Sequence, residues 1–456
     1  MSENGKNKKR NYAIAKVVVA LCVVLCLVLT VFEMGLTYRT IKAAEIDGTE
    51  YSVAEYNWLY TNSLYEVYNN IYQTYGDLAT YFLNPQKPLD EQKYNDEQTW
   101  ADYIKEYTAN SAIDMTALYN AGTEAGFELE QELIDGIDAE WKTIEETAKT
   151  NGYSANEYVE LNYGRGVNEK VFRDMYTRYM FAMSYAEHLI ESEEVSSEDI
   201  DAYYGEHSDD FDSIAYNYYF ASSAAEEGED EETAKADAKA DAEAVLEGTD
   251  ESKMTAVKYG VIANLDSTYS EWLTDEARAE GDKELFETET GYYVVEFVGK
   301  NDLHYNTVDV RHVLVSPTDE SEEAKKAALE AAEMYKAEWE EKGATEEAFA
   351  EIARIHSVDG SSAVGGLYEN VYKGQMVTEF EDWCFDSARK TGDCEIIETT
   401  YGYHIMYFVG EAESYYETAV DSAVRSERYA DFIESATEGF EVSELMGYDS
   451  VGKHFN

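Results

Sequence analysis

Residues 383–410 read WCFDSARKTGDCEIIETTYGYHIMYFVG, and residues 272–299 read WLTDEARAEGDKELFETETGYYVVEFVG. The two stretches align without a gap at an offset of 111, and 14 of 28 positions are identical. The matches include Trp272/Trp383, Asp275/Asp386, Gly281/Gly392, Gly291/Gly402 and Phe297/Phe408. Each stretch ends in an apolar run opened by glycine, which reads as a strand. Upstream, residues 215–222 match residues 309–316 more loosely. Residues 209–301 and 305–412 are therefore read as two copies of one α+β module. Two copies are too few for a solenoid.

The chain before the modules has a different period. From residue 44 to about 204 the pattern is helical, with Tyr56, Leu59, Tyr60, Leu64, Tyr68, Ile71 and Tyr72 at three- and four-residue spacing. Leu83-Asn84-Pro85-Gln86-Lys87-Pro88 interrupts it as a loop. Further helices are expected over 100–121, 128–150, 154–163 and 168–191. Ser196-Ser197-Glu198-Asp199 has the form of a cap and opens a short helix to Gly205. Residues 44–208 are thus expected to form a helical domain. Residues 224–248 read as a solvated, charged helix. After the second module, 415–437 reads as a single helix followed by the strand-like Phe440-Glu441-Val442. An isolated helix needs a partner for its apolar face, so 413–456 is expected to pack on the helical domain.

Composition narrows the function. The 456 residues carry 95 Asp+Glu against 35 Lys+Arg, a formal charge of −60. Nucleic-acid binding needs a basic face, which argues against such a partner. The acidic surface is read mainly as a source of solubility. Forty tyrosines supply apolar area with a polar tip, most of it core and interface filler. The four cysteines make neither a CxxC pair nor a disulfide framework. Cys22 and Cys26 lie in an apolar run, and Cys384 and Cys394 are read as buried free thiols in preference to a pair.

That apolar run sets the expected location. Lys6, Lys8, Lys9 and Arg10 precede it in a basic tail, 1–11. Residues 12–36 follow, almost purely apolar from Val17 to Phe32. A bilayer takes about 20 apolar residues in a helix, which the flanks of the run complete, with Lys16 snorkelling. The positive cluster first implies a cytoplasmic N-terminus and an extracytoplasmic body. Residues 40–44 make a poor cleavage site, so an uncleaved signal anchor in the cell membrane is favoured over a cleaved signal peptide.

The second copy resembles the parvulin (rotamase, PpiC) family of peptidyl-prolyl isomerases over its whole length. The resemblance rests on an ordered series of blocks. These are Val310-Arg311-His312-Val313-Leu314-Val315, a helix over 321–343, a second helix over 349–357, and the loop from Val358-Asp359-Gly360 to Gly365-Gly366. Then come Lys373-Gly374-Gln375-Met376-Val377-Thr378-Glu379-Phe380-Glu381, Gly392-Asp393, and Thr399-Thr400-Tyr401-Gly402-Tyr403-His404-Ile405. The arrangement resembles foldases of the PrsA and SurA types. In these, parvulin modules are inserted in a helical peptide-binding domain that a final helix completes. The N-terminal part of that likeness rests on residues 45–56, from Glu45-Ile46-Asp47-Gly48 to Tyr56.

Rotation about an X–Pro bond faces a barrier of roughly 20 kcal/mol. A catalyst must bind the twisted amide better than the planar one. Nucleophile, metal and cofactor are not required. The resemblance implies that Tyr368, Met376 and Phe380 line the proline pocket. Tyr368 stands where the family usually has Leu, because Gly366-Leu367-Tyr368-Glu369 replaces Gly-Asp-Leu-Gly, and Val371 replaces the usual aromatic. It further implies that His312 and His404 form the family's paired-histidine network. Asp359 takes its polar position near the rotating bond, and Thr399 hydrogen-bonds within the network. Strand alternation puts His312 with Val310 and Leu314, and His404 with Met406 and Phe408. In the first copy Tyr218 and Tyr293 stand at the histidine positions and no Met-x-x-x-Phe survives, so 209–301 is expected to be inactive. The expected function is an isomerase with chaperone activity for unfolded or partly folded exported proteins bearing X–Pro bonds. The alternative is a binding-only chaperone using both modules as platforms. The repeat and the parvulin blocks argue against a structural or adhesive surface protein.

Overall fold

A computed structural model describes residues 35–225 and 230–455. The expected basic tail, and the expected anchor up to residue 34, lie outside the described residues. Among the described residues no helix is long and apolar enough to cross a membrane. The chain divides into two compact units, one up to Glu193 together with Ser426–Asn456, the other Glu194–Arg425. Helices and β-sheets are both present, the sheets of four strands lying in the second unit.

The first unit is built on the helix Val53–Tyr75. It begins at Ser52, whose side chain accepts the Glu55 N–H while the Glu55 carboxylate accepts the Ser52 N–H. This reciprocal cap satisfies two otherwise orphaned donors. One face of the helix buries Tyr56, Leu59, Tyr60 and Leu64. Trp100–Ala125, Gln131–Thr150 and Glu169–Ser192 contribute to the same core. Residues 42–52 form a β-hairpin in place of the helical pattern expected from residue 44. Strands Lys42–Ile46 and Thr49–Ser52 are joined by Asp47-Gly48, with φ 45° and 73°. Asp-Gly is the two-residue turn that suits strand twist, and the helical reading passed over it. The C-terminal segment returns to this hairpin. Glu444 lies opposite Ala44, and the Gly452 N–H donates to Asn57 Oδ1 at 2.9 Å. Tyr429, Phe432 and Ile433 pack on the same core. The two-residue strand is Ser443–Glu444, just after the expected 440–442.

The second unit holds two antiparallel four-stranded sheets of the same topology. In the later one the order is Leu367–Val371, Asn306–Val315, Gly402–Ser414, Cys394–Thr399. In the earlier one it is Thr255–Val261, Ser213–Ser222, Gly291–Lys300, Lys283–Glu287. Each module's opening and closing strands are thus the central pair. Side-chain alternation splits the later sheet into two faces. Val313, Ile405 and Tyr407 pack against Trp339, Phe349 and Ile352 of the helices Glu322–Glu341 and Glu346–His356. Val308, Val310, Met406 and Phe408 pack against Phe380 and Trp383 of the short helix Thr378–Cys384.

The earlier module lacks one helix of the later. After Glu231–Leu246 it has only a 3-10 turn, Glu251–Lys253, where the later module has the helix Glu346–His356. The helix Ser197–Phe211 falls in the second unit, with Ile200 buried against Val420 and Val424. The compact units therefore part at 193/194, ahead of the domain boundary expected at 208. Cys384 and Cys394 are free thiols, and burial pushes each up to about 12.

Candidate active site

The central strands of the later module bring the two histidines together. Leu314 lies opposite His404, and His312 opposite Met406. A two-residue offset along one face places the two imidazoles side by side. Their rings stack at 5.3 Å, and the Nδ1 atoms are 3.1 Å apart. Both residues are buried, 2% and 5% exposed.

The next link comes from the loop after the helix Glu346–His356. Asp359 caps the following 3-10 turn by accepting the Ser361 N–H at 2.8 Å, the local turn that Asp favours. Its Oδ1 lies 3.1 Å from His312 Nε2, and Ser361 Oγ lies 3.2 Å from the same nitrogen. Gly366 lets the loop come this close. Its φ is +73°, its carbonyl accepts the His312 N–H at 2.8 Å, and a Cβ there would lie 2.2 Å from the His312 carbonyl oxygen. Arg311 ties the loop from its own side, donating to the carbonyls of Val364 and Gly365 at 3.1 and 3.0 Å. At the far end, Thr399 Oγ1 is 2.9 Å from His404 Nε2 and accepts the Tyr401 N–H at 3.1 Å.

Asp359, His312, His404 and Thr399 thus form one continuous chain. Only one hydrogen fits between the two Nδ1 atoms. An ionised Asp359 requires His312 to donate from Nε2. A singly protonated His312 then accepts at Nδ1 from His404, and His404 Nε2 accepts from the Thr399 hydroxyl. The His312 side chain and the Ser361 donors hold the Asp359 carboxyl well below the usual carboxylate range. Burial, then the neighbouring His312, pushes His404 down to about 4.

Apolar walls stand beside this chain. The Phe380 ring meets His312 and His404 edge-on, each at 5.6 Å. Tyr368 stacks on His312 at 5.0 Å and donates its hydroxyl to Asp359 at 3.1 Å. Burial, then Asp359, raises the Tyr368 phenol. Met376 is half-buried against the cluster that contains Phe380 and Val371. The polar residues Asp359, His312, His404 and Thr399 are thus linked atom to atom. Tyr368 and Phe380 touch them, and Met376 sits in the adjoining apolar cluster. Ser361 and Arg311 also belong to the site, through His312 Nε2 and the loop carbonyls, and the family resemblance gives neither a role. The Asp-Gly-Ser turn was the available signal for Ser361. Arg311 carried none, since an arginine on a strand is ordinarily solvated.

In the earlier module Tyr218 lies opposite Val295, and Phe220 opposite Tyr293. Tyr218 and Tyr293 therefore occupy the register positions of His312 and His404. The helix that leads into the Asp359 loop has no counterpart there.

The family model of the rotamase, or PPIC-type PPIase, domain matches residues 312–410. This part of the chain is a parvulin-type peptidyl-prolyl cis–trans isomerase domain. The chain is similar to several solved structures, each at low identity. PrsA from Bacillus subtilis has 16% identity and a TM-score of 0.30, over 78% of this chain and 91% of that one. The foldase PrsA from Streptococcus pneumoniae has 11% identity and a TM-score of 0.24, over 72% and 79%. A structure of the SurA-like chaperones of Campylobacter jejuni has 14% identity and a TM-score of 0.18, over 72% and 91%. No curated protein matches the chain.

The low His404 value has a measurable consequence. The folded imidazole takes its proton near pH 4, whereas an unfolded one does so near about 6.5. The unfolded state then binds more protons between these values. This contribution to stability is complete above about pH 6.5 and declines as pH falls toward 4. NMR titration of His404 should show a neutral ring from pH 8 to 5. A midpoint at 6 or above contradicts the buried, neutral assignment.

Proposed function

We propose that the protein is an extracytoplasmic, membrane-anchored foldase that isomerises X–Pro bonds in exported proteins and holds their unfolded segments. The observation that carries the isomerase reading is the closed chain from Asp359 to Thr399 beside the aromatic wall of Tyr368 and Phe380. A proline ring binds on this wall and on Met376. The planar amide has the larger dipole, so removal from water penalises it more than the twisted form, which is the preference that catalysis requires. The buried chain fixes the wall, because moving either histidine strands a polar atom away from water.

The chaperone part is supported by the first unit's surface. Tyr72, Tyr75, Leu78, Tyr81 and Phe82 are all exposed, and the Tyr75 and Phe82 rings lie 4.6 Å apart. Contiguous exposed apolar residues mark binding surfaces. Location and anchoring are supported by the basic tail followed by the apolar run at 12–36.

Three measurements test these readings. The full chain should accelerate cis/trans exchange in a proline tetrapeptide. Met376→Ala should lower kcat/KM about 10- to 30-fold, the value of roughly 1.5–2 kcal/mol of apolar contact. His404→Ala should lower it by a similar factor, and Tyr293→Ala should leave it unchanged. Exchange no faster than in buffer sinks the isomerase reading. In an aggregation assay with an unfolded client, Tyr81→Ser with Phe82→Ser should weaken protection while the tetrapeptide rate stays constant. Equal protection removes the patch from the mechanism. In protoplasts or spheroplasts, whose plasma membrane alone is intact, added protease should digest residues 305–412; protection of that segment until lysis contradicts the extracytoplasmic placement.

A further inference from the structure

Glu381 follows Phe380 on the helix Thr378–Cys384 and is 5% exposed. A buried carboxylate is costly unless its oxygens find donors, and the donors here come from two modules. Oε2 accepts the backbone N–H of Gly374, in the loop that carries Met376. Oε1 accepts the Tyr259 hydroxyl at 2.9 Å. Tyr259 belongs to the edge strand Thr255–Val261 of the earlier module. Lys258, beside it, places Nζ 3.9 Å from Oε1 and 3.4 Å from Asp382 Oδ1.

The contact is fitted as well as charged. Gly374 has φ +91°, and a Cβ there would come within 3.0 Å of the Tyr259 ring. The Asn301 side chain holds the edge strand in place, donating to the Lys258 carbonyl at 2.9 Å and lying 3.0 Å from Ser213 Oγ. The preceding residue of the loop is secured too, since the Lys373 N–H donates to the Tyr305 hydroxyl at 3.0 Å. At the 111-residue offset, the earlier copy has Ser270 where the later has Glu381. The carboxylate is therefore peculiar to the module that carries the histidines.

We propose that the earlier module is a positioning element for the isomerase site. Tyr259, through Glu381, fixes the 372–377 loop and the start of the adjoining helix, and so sets the spacing of Met376 and Phe380 in the proline pocket. Tyr259 and Glu381 are positioning residues and do not touch the substrate. The inference rests on the pocket assignment made under Proposed function. It accounts for an earlier copy that keeps the sheet while its histidine positions are tyrosines.

The test uses the full chain with Tyr259→Phe, which removes one hydroxyl and keeps the ring, and with Glu381→Gln. Three readouts are taken: kcat and KM on a proline tetrapeptide, hydrogen exchange at the Gly374 amide, and Tm. A hydrogen bond of ordinary net strength, felt at the pocket through the loop, supports a change of about three- to tenfold. Tyr259→Phe should lower kcat/KM by that factor, mainly through KM. It should speed Gly374 exchange and leave Tm within about 2 °C. Should Glu381→Gln fail to fold, Tyr259→Phe alone decides. An unchanged kcat/KM in Tyr259→Phe, beside an active wild type, overturns the proposal. In a wild type with no isomerase activity it is the pocket reading that fails. Faster Gly374 exchange in Tyr259→Phe then still upholds the inter-module tie, and unchanged exchange overturns that as well.

Discussion

His312 and His404 are buried side by side on a β-sheet, and two imidazoles so placed are tolerable only if every ring nitrogen has a partner. Much of the later module follows from that demand. His312 Nε2 needs an acceptor, which brings the Asp359 loop against the sheet. The loop approaches only because Gly366 has no side chain and Arg311 holds its carbonyls. His404 Nε2 needs a partner, which Thr399 supplies from the end of the neighbouring strand. The register of the two central strands cannot slip by one residue without sending one histidine to the opposite face and parting the pair. One chain of hydrogen bonds thus couples strand register, loop course and wall geometry.

The earlier module shows the same frame released from that demand. Tyr218 and Tyr293 fill the register positions of the histidines and satisfy the space with apolar ring area. With no imidazole to partner, an Asp-bearing loop has no work, and neither has the helix leading into it. A 3-10 turn at Glu251–Lys253 closes the gap. Tyrosines at the histidine positions and the absence of that helix thus go together in this module. The strand order survives because it depends on alternating apolar residues such as Ile214, Val294 and Val295, which remain buried.

Legibility in the sequence followed the range of the interactions. Strand alternation and glycine spacing exposed the repeat, and three- and four-residue aromatic spacing located the long helices to within a few residues. Both signals are local. The hairpin at 42–52 was legible in Asp47-Gly48, but aromatic residues downstream extended the helical reading across it. The site residues were named through resemblance, because alternation alone makes His312 and His404 two separate core histidines. Their pairing depends on a register 92 residues apart in the chain. Glu381 was harder still, since it reads as one more acid on a chain with 95 of them. Only the fold brings Tyr259 and the Gly374 amide to it.

The electrostatics bear on how such a site works. Asp359 accepts from His312, Ser361 and Tyr368, and its proton affinity lies well below that of an ordinary carboxylate. Such a group is a poor general base. His404, neutral above about 4, is a poor general acid at neutral pH. Rotation about an amide bond transfers no proton overall, so neither weakness is a loss. With Asp359 holding its charge and His404 staying neutral across the physiological range, these two links keep their hydrogen-bond roles, and the aromatic wall beside them keeps its shape. In the proposed mechanism that constancy is the contribution of the polar residues, and the preference for the twisted amide comes from the dry surface they hold in place.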